Sequence, residues 1–280
     1  MANWFEQQAR GVIQRVRDGR PLVHHITNYV TVNDCANIVL AIGAAPVMAD
    51  DIGEVADIVG ISSALVLNIG TLNQRTIASM LAAGKAANQK GIPVVFDPVG
   101  AGATVLRTET AAKIINEVKL AVIRGNISEI KSISGAGGKT RGVDAVESDT
   151  SGADAVHAAH RMAMDFAKAA GSVIAITGAV DVVSDGSRSC FIKNGHAMMA
   201  GITGTGCMCT SLIGAFTGAE KDYAVAAAAA VMAMGIAGEK AYRNIHSAGL
   251  GSGSFRTFIM DEISRMDDET LISEGKISFE

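Results

Sequence analysis

Five short apolar runs of strand length, separated by helix-length stretches, restrict this chain more than any other feature. The runs are APVM (45–48), ALVLN (64–68), PVVFD (93–97), LAVIRG (120–125) and SVIAITG (172–178). Between them, stretches such as 31–43, 73–91 and 152–171 repeat apolar residues at helical spacing. Strands this apolar, alternating with helices, form a parallel sheet covered on both faces. The run VDVVSDGSRSCFIKNG then alternates around Asp185-Gly186, the signal of an antiparallel hairpin. The expected architecture is α/β in three layers: a mainly parallel central sheet flanked by helices, with a hairpin towards the C-terminus. After the hairpin come a glycine turn and three helical segments. No Pro/Ser-rich linker or charge block divides the 280 residues, so one domain over 1–280 is expected.

Most strands end in a polar or glycine-bearing tip: Asn68-Ile-Gly70, Asp97-Pro-Val-Gly100, Arg124-Gly-Asn126 and Thr177-Gly178. In open α/β sheets ligands bind off the carboxyl ends of the strands, so these tips should line one crevice. The net charge of −4 and the scattered basic residues argue against a nucleic-acid surface. Cys35, Cys190, Cys207 and Cys209 make a poor disulfide framework at this length, which points to a reduced cytoplasm. The apolar run 223–238 is Ala-rich and too short for a bilayer span, so it reads as a helix packed inside the protein. No membrane partner is expected.

The segment GITGTGCMCTSLIGAF (201–216) carries the chemistry. Gly201, Gly204 and Gly206 crowd where a helical pattern begins, at about Cys207. A glycine turn feeding a helix start leaves unpaired N–H groups aimed one way, and the helix dipole adds positive charge, which suits phosphate. Such a turn is also often only a tight connection. Neither a P-loop nor a dinucleotide fingerprint is present. The dipole would favour a Cys207 thiolate, while bound polyphosphate would oppose it. Cys209, two residues on, points elsewhere and reads as core packing. Asp97 ends a buried strand and needs a cation, a metal or a hydrogen-bond network. With Asn126 and Glu129 it offers hard oxygen ligands for Mg²⁺. Glu129 fits equally well as a first-turn acid complementing its own helix dipole. Arg124 suits phosphate or Asp97. Asn28 and Met48 give a small heterocycle one polar and one apolar contact.

Taken in order, HHITNYVT, PVMADD, FDPVGAGAT, RGNISEI, AITGAVD and GITGTGC resemble the hydroxyethylthiazole kinase family of thiamine salvage, within the ribokinase-like superfamily. The resemblance runs from about residue 20 to 250. It implies transfer of the γ-phosphate of ATP, with Mg²⁺, to the primary hydroxyl of 4-methyl-5-(2-hydroxyethyl)thiazole. It also implies a homotrimer with active sites between subunits. By position, Met48 and Gly204 would contact the thiazole, with Asn28 beside it. Arg124 and Thr177 would bind the nucleotide phosphates, and Asp97 and Glu129 would organise Mg²⁺. Gly204, Thr205, Gly206 and Cys207 would form the anion hole. Cys207 stands where ribokinase-like sugar kinases have an Asp base, as is typical of thiazole kinases. A kinase for another alcohol of the pathway, hydroxymethylpyrimidine, and a nucleotide-binding regulator without catalysis are the rival readings.

Overall fold

The computed structural model describes residues 4–135 and 153–280. Nine strands form one sheet in the order β2-β1-β3-β4-β5-β6-β7-β8-β9. They are β1 (Leu22–Ile26), β2 (Ala45–Met48), β3 (Ala64–Asn68), β4 (Val94–Asp97), β5 (Val122–Asn126), β6 (Val173–Thr177), β7 (Asp181–Ser184), β8 (Ser189–Ile192) and β9 (Ile277–Phe279). The first six are parallel, and β7, β8 and β9 add on antiparallel. The expected three layers and the hairpin at Asp185-Gly186 are therefore present.

Side chains alternate across the sheet, as the pleat requires. Val23, Val66 and Val95 enter the core shared with the helices Val32–Ile42, Thr205–Ala219 and Tyr223–Ser247. Leu65, Leu67 and Phe96 enter the opposite core, under Val55–Ile61, Gln74–Lys90, Val105–Glu117 and Ala153–Ala170. The Ala-rich helix Tyr223–Ser247 is long and apolar enough to span a bilayer, yet 89% of its most apolar stretch is buried within the protein.

Four departures from the sequence reading have local causes. Strand β1 was not among the five apolar runs because His24 and His25 interrupt it. Both are buried, and burial lowers His25 to about 4, so it is a neutral side chain at neutral pH. The nitrogens His24 Nε2 and His25 Nδ1 bond to the carbonyls of Ala49 and Val23 (2.7 and 3.0 Å). Strand β9 has three residues and exists only through its pairing with β8. The glycine turn is followed by four helices rather than three, Asp268–Ser273 being the short addition. The first of them begins at Thr205, two residues before the expected start. The polar stretch 134–149 lies outside the described residues, apart from its first two positions.

Candidate active site

The helix Thr205–Ala219 starts above the strand tips. Its N-cap Gly204 has φ +93°, in the left-handed region, and a Cβ there would lie 2.7 Å from Thr31 Cγ2. Glycine is required on both counts. No side chain caps this helix, so its leading N–H groups lack the usual side-chain acceptor. At Gly206 a Cβ would come 2.5 Å from Arg124 Nη1, so a side chain there would have to displace the guanidinium. The turn is thus laid directly on the guanidinium.

Below it, the tips of β3, β4, β5 and β6 meet. Asn68 pairs in register with Asp97, and Asn126 with Thr177. The Asn68 Nδ2 group donates to Asp97 Oδ2 (3.1 Å) and to Cys207 Sγ (3.2 Å). Asn28 Nδ2 donates to Asn68 Oδ1 (3.0 Å) and also to Cys207 Sγ (3.3 Å). Both amides are oriented by backbone donors: Asn28 Oδ1 accepts from Thr31 N–H and Asn68 Oδ1 from Gly70 N–H (3.1 and 2.9 Å). The sulfur therefore faces two amide N–H groups.

Burial nevertheless outweighs both these donors and the helix dipole. Burial, and then the Asp97 charge, push the Cys207 thiol above its ordinary value, and the hydrogen bonds offset only part of this. Burial likewise raises Asp97 to about 6, against the pull of Arg124 and Thr210. Thr210 Oγ1 donates to Asp97 Oδ2 (2.7 Å). Arg124 places Nη1 3.8 Å from the same oxygen and donates through Nη2 to Thr177 Oγ1. Burial opposes the Arg124 cation, but Asp97 with Cys209, Glu129 and Cys207 together more than offset it, so Arg124 stays charged.

Two atoms at this junction are buried without a partner: Asp97 Oδ1 and Arg124 Nε. An orphaned carboxylate oxygen suits a hard cation, which is the donor chemistry Mg²⁺ prefers. Glu129 is differently placed. Its Oε2 accepts Asn126 N–H while Asn126 Oδ1 accepts Glu129 N–H, a reciprocal cap (both 2.9 Å). Its Oε1 accepts Gly100 N–H (2.8 Å), tying the loop after β4 to the helix after β5. The capping role left open by the sequence is therefore realised. Among the described residues no three His, Cys, Asp or Glu side chains converge as a metal cluster.

Beside the turn opens a cavity of about 710 Å³, lined in part by Arg124, Thr177, Asp181, Thr205 and Gly206. The structure thus brings Asn28, Asp97, Arg124, Thr177 and Gly204–Cys207 into one cleft. Met48 closes the edge strand β2, half-buried, one strand out from the end of β1 that leads to Asn28. Cys209 is buried, as read from the sequence. The sequence placed Asn68 at the crevice but gave it no role, and it passed over Thr210 and Asp181. Thr210 carried a usable signal, being one helical turn beyond Gly206.

The sequence profile of the hydroxyethylthiazole kinase family matches residues 13–269. The chain belongs to this family. A hydroxyethylthiazole kinase of Ruminiclostridium cellulolyticum is 54% identical over 275 residues, covering 98% of each chain. The solved hydroxyethylthiazole kinase of Pyrococcus horikoshii OT3 is 36% identical, with TM-score 0.86 over 98% of this chain and 99% of that one. The pyridoxal kinase of Staphylococcus aureus, solved with AMP-PCP, shares only the fold: 13% identity, TM-score 0.57, 78% and 87% coverage. The fold is ribokinase-like. Membership makes the chain a kinase that phosphorylates hydroxyethylthiazole in thiamine salvage, with ATP as co-substrate.

Proposed function

We propose that the γ-phosphoryl group of ATP passes to the primary hydroxyl of 4-methyl-5-(2-hydroxyethyl)thiazole beside Cys207. One observation carries this reading: a sulfur, a buried carboxylate and a guanidinium are joined through Asn68 and Asp97 beneath an uncapped helix start. Phosphoryl transfer asks mainly for alignment and charge neutralisation, and this cleft supplies both.

Arg124 and Thr177 hold the polyphosphate in the cavity, and the N–H groups at Gly204–Cys207 stabilise the group in flight. The thiazole lies between Met48 and the Asn28 amide, with its hydroxyl at Cys207 Sγ. A thiol raised by burial is a reluctant base, so Cys207 chiefly orients the hydroxyl and takes its proton late. Asp97 would hold Mg²⁺, with Glu129 as a neighbouring anion already committed to its cap. When bound, the cation supplies charge neutralisation on the phosphates.

The full chain acts as a single domain and as a homotrimer with the active site completed across subunits. Support for assembly comes from β2, an edge strand with half-buried residues and exposed apolar side chains nearby in sequence: Leu40 (56% exposed), Ile52 (54%) and Ile61 (69%). Exposed edges and apolar surface of this kind call for cover. Tyr29 and Val30, directly after Asn28, are exposed as well. The four free cysteines accord with the cytoplasm.

An assay of ADP release with the thiazole alcohol, with and without Mg²⁺, tests the reading. The expected result is turnover that depends on both. Equal turnover with hydroxymethylpyrimidine, or ATP binding without transfer, would overturn it.

A further inference from the structure

The cavity beside the turn is lined by both polar and apolar groups. Arg124 and Thr177 come from strand tips and Thr205 from the helix start, while Ala197 and Met199 come from the short turn Ala197–Gly201 and Val231, Met234 and Gly235 from the helix Tyr223–Ser247. His196, just before that short turn, also lines the cavity, and its ring is already half of a stack. It lies on Tyr242 with centroids 3.6 Å apart and planes 18° apart, and Tyr242 in turn lies on His246 (5.5 Å, 21°). Tyr242 does not line the cavity, whereas His196 does. One face of the imidazole is backed by an aromatic ring, and His196 lines the open cavity.

The loop that carries His196 is held rigidly. Asn194 donates to Glu239 Oε1 and to the Glu274 carbonyl (3.2 and 3.0 Å) and accepts from Lys276 N–H (2.7 Å). Gly195 N–H also donates to Glu239 Oε1 (2.9 Å). A Cβ on Gly235 would lie 2.7 Å from the Asn194 backbone, so the loop rests directly on the helix Tyr223–Ser247. His196 Nδ1 accepts Met198 N–H (3.2 Å), which fixes the ring further. These bonds engage the Asn194 carboxamide, which also lines the cavity, so it is not free to read a base edge.

We infer that His196 is the stacking platform for the nucleobase of ATP, backed by Tyr242. The inference rests on the reading of this cavity as the ATP site. A pre-fixed aromatic face binds a flat base with little ordering cost, and stacking needs no hydrogen-bond readout. The base is gripped by its face, while Arg124 and Thr177 take the phosphates.

Steady-state kinetics on the full-length enzyme separate the ring from its cap. H196N keeps an acceptor for the Met198 N–H and removes the ring; H196F does the reverse. H196N should raise KM for ATP about 5- to 150-fold, the range for losing one base–aromatic stack, with kcat and KM for the thiazole alcohol unchanged. H196F should stay near wild type. Inorganic tripolyphosphate, which has no base, should inhibit wild type and H196N with the same Ki. The inference is overturned if H196F loses as much as H196N, or if H196N weakens tripolyphosphate as much as ATP. Should the wild type show no saturable dependence on ATP, the assignment of the cavity itself fails, and the platform with it.

Discussion

The two ends of the cleft are built on opposite plans. Around Cys207 the polar groups are already partnered: Asn28, Asn68, Thr31 and Thr210 form one connected network with Asp97 Oδ2. Beside the glycine turn, the proposed nucleotide end is open space of about 710 Å³. The seam between them holds the two orphaned atoms, Asp97 Oδ1 and Arg124 Nε. The contrast teaches a division of labour. The sulfur end is organised before substrate arrives, so damage there should lower kcat. The nucleotide end is completed by its ligand, so damage there should raise KM for ATP.

The largest test of that division is Asp97→Asn. It preserves shape and an acceptor for Thr210 but removes the charge, and kcat should fall about 10³-fold, several kcal/mol of barrier. Loss of less than tenfold in steady-state turnover would remove Asp97 from the reacting centre. Next comes Cys207→Ala, expected to lower kcat roughly 10²-fold, the low end for a positioned proton acceptor, because the thiol is already a poor base. Wild-type turnover in that variant would show that the sulfur is packing only.

Thr177→Val tests the other end. It deletes the hydroxyl that receives Arg124, and KM for ATP should rise about tenfold with a smaller change in kcat. If kcat moves more than KM, the two ends are not separable.

The smallest effect concerns pH. Burial raises Asp181 to about 7, against Gly178 N–H and Arg124, and Asp181 lines the nucleotide cavity. Above pH 7 it is an anion facing a polyphosphate; below, it is neutral. The KM for ATP should therefore climb as pH rises from about 6 to 8, by roughly two- to fivefold. Asp181→Asn keeps the acceptor for Gly178 and should abolish that climb, so the wild-type-to-variant ratio of KM should itself rise with pH. Arg124 stays charged across this range, and His196, which also lines the cavity, is common to both proteins. A ratio that is flat with pH would dismiss Asp181 as a charge at the site. The same shift acts on the fold with a definite sign: protonation stabilises it, so Asp181 weakens the native state as pH rises through about 7.

Much of this was legible because parallel strands buried on both faces write themselves as unbroken apolar runs. Their polar tips gave Asp97, Arg124 and Thr177, and the glycine turn gave Gly204–Cys207. Strand β1 escaped because two buried histidines imitate polar residues until their burial is known. Asn68 acquires its role from Cys207, 139 residues away, and no local pattern encodes such a meeting. His196 is a lone histidine until Tyr242 comes up behind it. At Cys207 the helix dipole can be read from sequence order, but the desolvation that outweighs it cannot.

One consequence follows from Asn68, whose single amide nitrogen serves both Asp97 and Cys207. Its two hydrogens are both spoken for, so neither neighbour can be re-aimed alone. Anyone refitting this scaffold to a different alcohol must transplant acid, amide and sulfur together, as one cassette.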